Sequence, residues 1–560
     1  MTGSSGSGFT AASPAAFGFD DDPASIRFDG VTLRTELDGN DFLPGPAESL
    51  TVIGGDISFF NSWVFFHNAD LDLVAVGGAG DVGIESDRLV PDEQLLGNVF
   101  VTSTDAGPFA DLETSGGPAG KISITADNLV MRGSRIFVDS IGIQNGPGID
   151  IDAGTSVVLS EGARISTDTR SRGDSGNIEI STSILSLEDK GTRVSSDSHS
   201  HSHSHEGNGG LVNVTADAIV VAEGAVVSAT TNRAGAAGRI SLSAMNVSLV
   251  SGGSVATTTT AAGRGGDITV SAERMVIAGA GSSIATKSGG EEIGGDAGNI
   301  VVIVDDLVLS AGGVIETLAG AALSGQVGDI DMDAMNIRIE RGGKIEVSSQ
   351  SAREEGGRLT VTAESLLLDG QVGDEEPPLE MPSRIVVTMD GDALGGGATL
   401  RVDEIFLIDA AEIVSVAVGS GRGAIVDIIA ARVGFDSARI GTQASTGQGG
   451  NLVLNADELL VVGGGLIESR AGVDGGSGDG GDIRVMTDDA AVSGDGSSVR
   501  TIAGGDGCGG DLLIDGGSVA LSEGAVTHER QQGRWRRRHH GQWSDRGPER
   551  GHLVSCRERG

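Results

Sequence analysis

Four histidines in one short segment are the residues whose spacing most directly suggests chemistry. They alternate with serines in the sequence SHSHSHSH: His199, His201, His203 and His205. In an extended chain, alternate side chains point to the same side, so the four imidazoles would share one face and could chelate Zn²⁺, Ni²⁺ or Cu²⁺. A low-complexity loop that has grown by repeat slippage has the same composition, and we favour this interpretation. The histidines are therefore only weak candidate metal ligands.

Three aspartates alternate in another segment, Asp329, Asp331 and Asp333. Carboxylates on the outward face of a strand are the groups that polysaccharide lyases and hydrolases built from stacked strands use for catalysis. Such chemistry needs a basic or second acidic group close by, and Arg358 is placed beside Asp329 if the strands stack in register. The aromatic residues expected in a sugar-binding cleft are missing, so we favour a solvated acidic face. No catalytic residue is predicted.

Two loops rich in glycine and aspartate, 474–482 and 504–510, have the sequences DGGSGDGGD and GGDGCGG. They are similar to the calcium-binding nonapeptide G-G-x-G-x-D. That motif requires Asp at its sixth position, where Gly480 and Gly509 stand. Calcium is not predicted, and the chain is assigned no metal and no cofactor.

The elements that must position these side chains form a repeat, which Gly266–Thr286 shows most clearly. Apolar or small residues fall at Ile268, Val270 and Ala272, the period of a strand with one face turned inward. The next inward residue, Met275, comes one place late, so the chain turns a corner there and a second strand begins. A third strand follows a glycine-rich corner. The template can be started at eleven other glycines, with a slip of register at the second of them and over residues 397–449: Gly120, Gly148, Gly176, Gly210, Gly238, Gly298, Gly328, Gly357, Gly450, Gly481 and Gly510.

The repeat predicts an all-β solenoid, a parallel β-helix with three short strands per coil of about 28 residues, the spacing of the starts at 120, 148 and 176. One coil has about six inward apolar side chains, worth roughly 10 kcal/mol when buried, against an ordering cost of roughly 1.5 kcal/mol per residue. A single coil therefore cannot fold alone and must stack on others. Fourteen coils at roughly 4.8 Å per rung predict a rod of about 65 Å.

Composition supports a long, thin core. The 560 residues include 92 glycines, 3% aromatic residues and no tyrosine, which argues against several ordinary globular cores. The formal net charge of −41 disfavours binding to nucleic acid and to anionic membranes. Cys508 and Cys556 are the only cysteines, so there is no disulfide framework. No run of apolar residues is long enough for membrane insertion.

One region has motifs of a known family. The order AFGF, PASIRF, ESLTVIGGDISF and DLDLVAVG within residues 15–78 resembles the later part of the secretion domain of filamentous-haemagglutinin-like exoproteins. Gram-negative bacteria export these proteins by two-partner secretion. Leu50–Ile57 and Leu71–Val76 match the family's glycine-glycine-aspartate phrase and the strand-rich stretch after it, and GDITV-type repeats are typical of the family's stalks.

The resemblance implies a right-handed coil, an outer-membrane transporter as partner, and an extracellular or cell-surface location. Residues 1–16 contain neither Lys nor Arg and no apolar run, so no signal peptide is present there. The family's Asn-Pro-Asn motifs are also missing, so we expect an N-terminally incomplete member. The predicted organisation is a disordered N-terminus (1–16), the end of a secretion domain with the first coils (17–119), a repeat stalk (120–527) and a non-repeat basic tail (528–560).

The tail differs from the rest of the chain because it contains nine arginines, two of the three tryptophans and no strand alternation. The genetic code permits the codons CGA-CAT-CAC-GGT-CAG-TGG for Arg538–Trp543, and these codons read one base on give Asp-Ile-Thr-Val-Ser, the phrase of Asp267–Ser271. We hypothesise that residues from about 528 are a frameshifted, disordered translation.

The sequence thus predicts a secreted or cell-surface adhesin-like structural protein without catalysis, which binds a glycan or protein receptor on a host or matrix. The alternative is a β-helix enzyme that binds or cleaves polysaccharides. A cleft with carboxylates and aromatic side chains would favour the alternative.

Overall fold

The computed structural model shows an all-β chain. It describes residues 16–19, 21–34, 49–85, 88–91, 96–104, 109–117, 119–170, 172–198, 207–232, 234–289, 294–320, 325–350, 356–371, 382–389, 396–418, 423–472, 478–504, 507–522, 526–531 and 534–537. Within these ranges the regular elements are β-strands, and no helix is long and apolar enough to cross a membrane.

Each coil of the main stack begins with a long strand that provides two of its three sides. The long strand bends after the small residue at its centre, where the pairing skips a residue: Ala126 pairs with Ala153, and pairing resumes between Asn128 and Ser156. The corner predicted after this small residue is thus confirmed. The fourteen long strands are Ile122–Arg132, Ile149–Ser160, Ile178–Leu187, Leu211–Ala222, Arg239–Val250, Ile268–Ala278, Ile300–Ser310, Ile330–Glu340, Arg358–Asp369, Gly397–Ile408, Ile425–Asp436, Leu452–Val462, Ile483–Ser493 and Leu512–Ser522.

A short strand provides the third side of each coil. Long strands pair in parallel with long strands of the coils before and after, and short strands pair in the same way with short strands. The fourteen short strands are Arg135–Ser140, Arg164–Thr169, Arg193–Ser198, Val226–Thr231, Ser254–Thr259, Ser283–Ser288, Val314–Ala319, Lys344–Ser349, Arg384–Met389, Glu412–Ala417, Arg439–Ala444, Leu466–Ala471, Ser498–Ala503 and Val526–Gln531.

The coils before residue 122 have their sides as separate strands. Two of these coils have three strands each, and an earlier one has two: Ile26–Asp29, Thr32–Arg34; Ser49–Gly54, Ile57–Phe60, Trp63–Phe65; Asp70–Ala75, Asn98–Thr102, Asp111–Glu113. A hairpin leaves the stack after Asp70–Ala75 and pairs antiparallel with Ala16–Phe19. Its strands are Gly80–Glu85 and Arg88–Pro91.

The predicted fold class is confirmed as a parallel β-solenoid with three sides per coil, about 14 turns and about 29 residues per turn. The inward residues of the template, such as Ile268, Val270 and Met275, are fully buried. They belong to one hydrophobic cluster that extends from Val52 to Val499. Residues 397–449, which fit the template only with a slip, form coils of the same kind. The right hand of the coil stays a prediction.

Glycines precede the long strands because consecutive coils approach too closely there for a side chain. A Cβ atom placed on Gly266 would lie 1.7 Å from the carbonyl oxygen of Gly238, and one on Gly298 would lie 1.9 Å from that of Gly266. Backbone therefore stacks directly on backbone along this corner. The requirement is for space, and it explains why the template starts on glycine.

The last described residues depart from the parallel pattern. Val526–Gln531 pairs in parallel with Ser498–Ala503, and Arg534–Arg537 then turns back and pairs antiparallel with Val526–Gln531. These strands lie where the frameshifted tail is expected. Positions 538–560 lie outside the described residues.

Candidate functional site

A groove lined by carboxylates lies on the outer face of the first side of the coils, near the N-terminal end of the stack. Pairing in register aligns outward residues of successive coils into rows, because every second residue of a strand points outward. One row contains Asp72, Ser123, Asp150, Glu179 and Asn213. The groove encloses about 480 Å³, and Leu89 of the hairpin forms part of its wall.

Hydrogen bonds and an ion pair hold the groove's charged groups in place. The backbone N–H of Lys121 donates to Asp70 Oδ1 at 2.7 Å. The Nζ atom of Lys121 forms an ion pair with Asp150 Oδ2. One coil further along, Asn213 Nδ2 donates to Glu179 Oε2 at 2.7 Å. Asp150 and Glu179 are direct neighbours in the ladder, so the Lys121 ammonium group and the Asn213 amide offset the repulsion between two stacked carboxylates.

Asp72 differs from the other carboxylates of the groove. Burial raises the pKa of Asp72 above its ordinary value of 3.8, and the negative charge of Asp70 acts in the same direction. A hydrogen bond from Ser123 and the charge of Lys121 oppose this rise without cancelling it. Asp72 therefore keeps its proton to a higher pH than an ordinary aspartate does.

Asp72 and Asp150 of this row have different electrostatic environments. Burial raises the pKa of Asp72, whereas Asp150 forms an ion pair with the ammonium group of Lys121. Their Cα atoms lie two rungs apart, about 9.6 Å, with Ser123 on the rung between them. The arrangement can bind sugar hydroxyls, and it could hold a water molecule between an acid and a base.

The aspartates singled out in the sequence lie elsewhere on the same face. Asp331 and Asp333 are exposed. Asp331 lies between Val301 and Thr360 of the neighbouring coils, and Asp333 lies between Ile303 and Thr362. These neighbours confirm the predicted register. Asp329 accepts a hydrogen bond from the backbone N–H of Arg358 at 2.7 Å. Asp329 thus has a structural partner, and the exposed pair is the solvated acidic face that the sequence favours.

The Asp329 contact belongs to a ladder that sequence reasoning missed. Asp267 Oδ1 accepts from the N–H of Asn299, and Asn299 Oδ1 accepts from the N–H of Asp329, both at 2.9 Å. Where an Asp or Asn follows the stacked glycine, as at these three positions, its side chain therefore bonds the backbone of the next coil. Its recurrence after glycine is a signal that could have revealed this role.

A second row of polar groups lies inside the core, on the short strands. Thr257 Oγ1 donates to the carbonyl oxygen of Gly266, and Thr286 Oγ1 donates to that of Gly298, both at 2.6 Å. The hydroxyls thus satisfy carbonyl oxygens of the stacked glycines, which the close approach of the coils keeps from water.

An apolar groove of about 780 Å³ follows the bend of the long strands in the middle of the stack. Small residues at the bend, such as Ala272, leave it open, and three large side chains on its sides are 45 to 50% exposed: Met245, Ile303 and Met335. Four exposed carboxylates also line it: Glu273, Asp305, Asp333 and Glu364. Exposed apolar surface of this kind is typical of interaction sites.

The structure bears on only some of the candidate metal ligands. His199, His201, His203 and His205 lie outside the described residues. In the glycine/aspartate loops, Asp479 accepts from the N–H of Cys508 and Asp482 from the N–H of Asp511, both at 2.8 Å, so both serve the ladder between coils. In the part of the chain that the structure describes, no three His, Cys, Asp or Glu side chains are grouped as a metal site requires.

Comparison with known proteins adds no relative. Models of known protein families do not match the chain, and no curated protein matches its sequence.

Proposed function

We propose that this chain is a secreted or cell-surface structural protein of the adhesin type, with no catalytic function. The observation that supports it best is the single core from Val52 to Val499. Because each coil pairs with the coils before and after it, the stack holds outward side chains at fixed spacing along a rod of about 65 Å. Such a rod suits the display of binding surfaces away from a cell.

The apolar groove supports an adhesive role and defines the partner's chemistry. Met245, Ile303 and Met335 present apolar area, and carboxylates surround them. A complementary partner is a receptor with an apolar surface bordered by basic residues. A variant with all three residues changed to serine should bind such a receptor more weakly, while the inward residues that stabilise the fold remain unchanged.

The export route rests on the resemblance of Leu50–Ile57 and Leu71–Val76 to the secretion domain of two-partner exoproteins. The partner in export is an outer-membrane transporter that recognises the region before and around residues 17–83. To test this, the gene with its upstream sequence is expressed in a Gram-negative host with and without an outer-membrane transporter of the two-partner type. We expect the chain in the medium only when the transporter is present. Equal amounts without the transporter would contradict this route.

A second candidate function, polysaccharide cleavage, is favoured by the environments of Asp72 and Asp150. With Asp72 as general acid and Asp150 as general base, the groove would cleave a glycosidic bond with inversion. The full chain is assayed on acidic and neutral polysaccharides beside Asp72→Asn and Asp150→Asn, with Asp331→Asn as matched control. Cleavage that both groove variants lose and the control keeps would establish an enzyme. Absence of cleavage by the unchanged chain supports the structural role.

A further inference from the structure

The last long strand, Leu512–Ser522, ends its sheet differently from the strands before it. It pairs with Ile483–Ser493 on one side, and no described strand pairs with its other side. Its inward residues Leu512 and Ile514 are half-buried, whereas the equivalent Ile483 and Val485 are 1% and 0% exposed. Such an edge presents backbone groups and apolar side chains that a further strand would cover.

At this end of the stack, the last described strands cover only the sheet of short strands. Arg534–Arg537 pairs antiparallel with the short strand Val526–Gln531. Among the described residues, none continues the long-strand sheet beyond Leu512–Ser522. An occupant for this edge must offer a parallel strand with inward apolar residues and a small residue at the bend.

The bases that encode the tail restrict what the chain would be in the neighbouring frame. Trp535 and Trp543 each have the single codon TGG, and reading one base on gives glycine at both positions because GG followed by any base encodes glycine. His539 becomes Thr or Ile, and Gln542 becomes Asn or Ser. Arg538 becomes Ala, Asp, Gly or Val. The genetic code thus permits Asp-Ile-Thr-Val-Ser-Gly from position 538, with a glycine three positions before it.

This phrase falls at the position where a coil would begin. Position 538 is 27 residues after Asp511, and Ile149 also follows its ladder partner Ile122 by 27 residues. Position 539 then aligns with Leu512 as an inward apolar residue. Position 543 aligns with Gly516 at the bend, where a small residue is required.

The hydrogen bonds between the last two described coils show how another coil would attach. The N–H of Asp511 donates to Asp482 Oδ1, and the N–H of Ile483 donates to the carbonyl oxygen of Asp511, both at 2.8 Å. An aspartate at position 538 would repeat the first bond by donating its N–H to Asp511 Oδ1. Its carbonyl oxygen would repeat the second by accepting from the N–H of Leu512.

We infer that the bases encoding Arg534–Trp543, read one base on, specify a further coil of this solenoid that pairs with Leu512–Ser522. The occupant of the edge is therefore a segment of the same gene product. Two of the chain's three tryptophans are, on this inference, glycine codons of the repeat read out of frame.

The first test is the gene itself. The inference requires the codon CAT at His539, which gives Ile one base on, and CGA or AGA at Arg538, either of which gives Asp. The codon CAC at His539 would place Thr at the inward position and would overturn the inference. This readout does not depend on expression or folding.

The second test compares two full-length products by hydrogen exchange. One is the chain as it stands, and the other comes from a gene with one base removed within the codon of His528. We expect the amides of Leu512–Ser522 to exchange at least tenfold more slowly in the second product, while Ile300–Ser310 in mid-stack exchanges equally in both. Equal exchange of Leu512–Ser522 in the two products would overturn the inference.

Discussion

The buried carboxylate of Glu468 provides a sharp test of how the short-strand side is stabilised. Its side chain is 1% exposed. Arg500 donates to Oε2 through Nε at 2.9 Å and Nη2 at 2.8 Å. Arg439 Nε lies 2.8 Å and Arg470 Nη1 3.6 Å from Oε1 as ion pairs. Gly441 pairs with Glu468 in the next strand, and its lack of a side chain leaves the space that the carboxylate occupies.

Glu468→Gln should strongly destabilise this part of the stack. The substitution keeps the size of the side chain but removes the charge that compensates the guanidinium groups around it. Removing one partner of a buried ion pair costs about 3–5 kcal/mol. At the lower limit, about 3 kcal/mol corresponds to roughly 150-fold faster opening.

Hydrogen exchange of the full chain measures this locally, which suits a solenoid because its unfolding need not be two-state. We expect the amides of Leu466–Ala471 and Ser498–Ala503 to exchange at least 100-fold faster in Glu468→Gln, the order of magnitude that this loss implies. Glu458→Gln is the matched control, because Glu458 pairs with Arg432 at 3.1 Å but is 62% exposed, and exposed pairs contribute about 0–1 kcal/mol. Equal effects of the two substitutions would refute the reasoning.

Three further substitutions test the packing of the coils and the groove. Gly298→Ala should cost about 1–3 kcal/mol of unfolding free energy through overpacking, since its Cβ would meet a carbonyl oxygen. Its control is Gly289→Ala, where nothing lies within 4 Å of the added Cβ, and this change should cost less than about 0.5 kcal/mol. Similar denaturation midpoints for the two variants would contradict the glycine stacking. Thr286→Val should cost about 1–3 kcal/mol of unfolding free energy, because it leaves the buried carbonyl oxygen of Gly298 without its donor. Thr269→Val is its control in the same denaturation series, because the Thr269 side chain is exposed. Equal losses of stability would argue against the internal hydroxyl row. Asp72→Asn should stabilise the N-terminal coils at neutral pH. Burial raises the pKa of Asp72, so the folded chain holds the proton more tightly than the unfolded chain, and stability falls as pH rises from 3.8 through the raised pKa. The gain should disappear below pH 3.8, and a gain independent of pH in melting curves would contradict this assignment.

The coil architecture could be predicted from the sequence because side-chain period and repeat spacing together determine the stacking register. Asp331 illustrates this, since its neighbours Val301 and Thr360 follow from the template alone and are confirmed. The role of Asp267 was missed because its partner is a backbone N–H of the next coil. A template that sorts residues into inward and outward positions does not predict a hydrogen bond from a side chain to the backbone of the next coil.

The carboxylate groove could not be predicted in the same way. Asp72 pairs with Ser123 across a 51-residue separation that contains the hairpin, and the template does not extend to that region. The burial that raises the pKa of Asp72 depends on how these coils pack. The burial of Glu468 likewise depends on a glycine in another strand, Gly441, which no local pattern indicates.

Adhesion of the full chain is the measurement that tests the proposed function most directly. The receptor mimic is a layer of amphipathic peptide with leucine on one face and lysine on the other. Beads coated with the chain are passed over a surface that carries this layer, and the retained beads are counted. We expect retention that falls at least fivefold when Met245, Ile303 and Met335 are all changed to serine, and that is unchanged in Asp72→Asn. Equal retention of the unchanged chain and the triple variant would contradict the proposed adhesive surface.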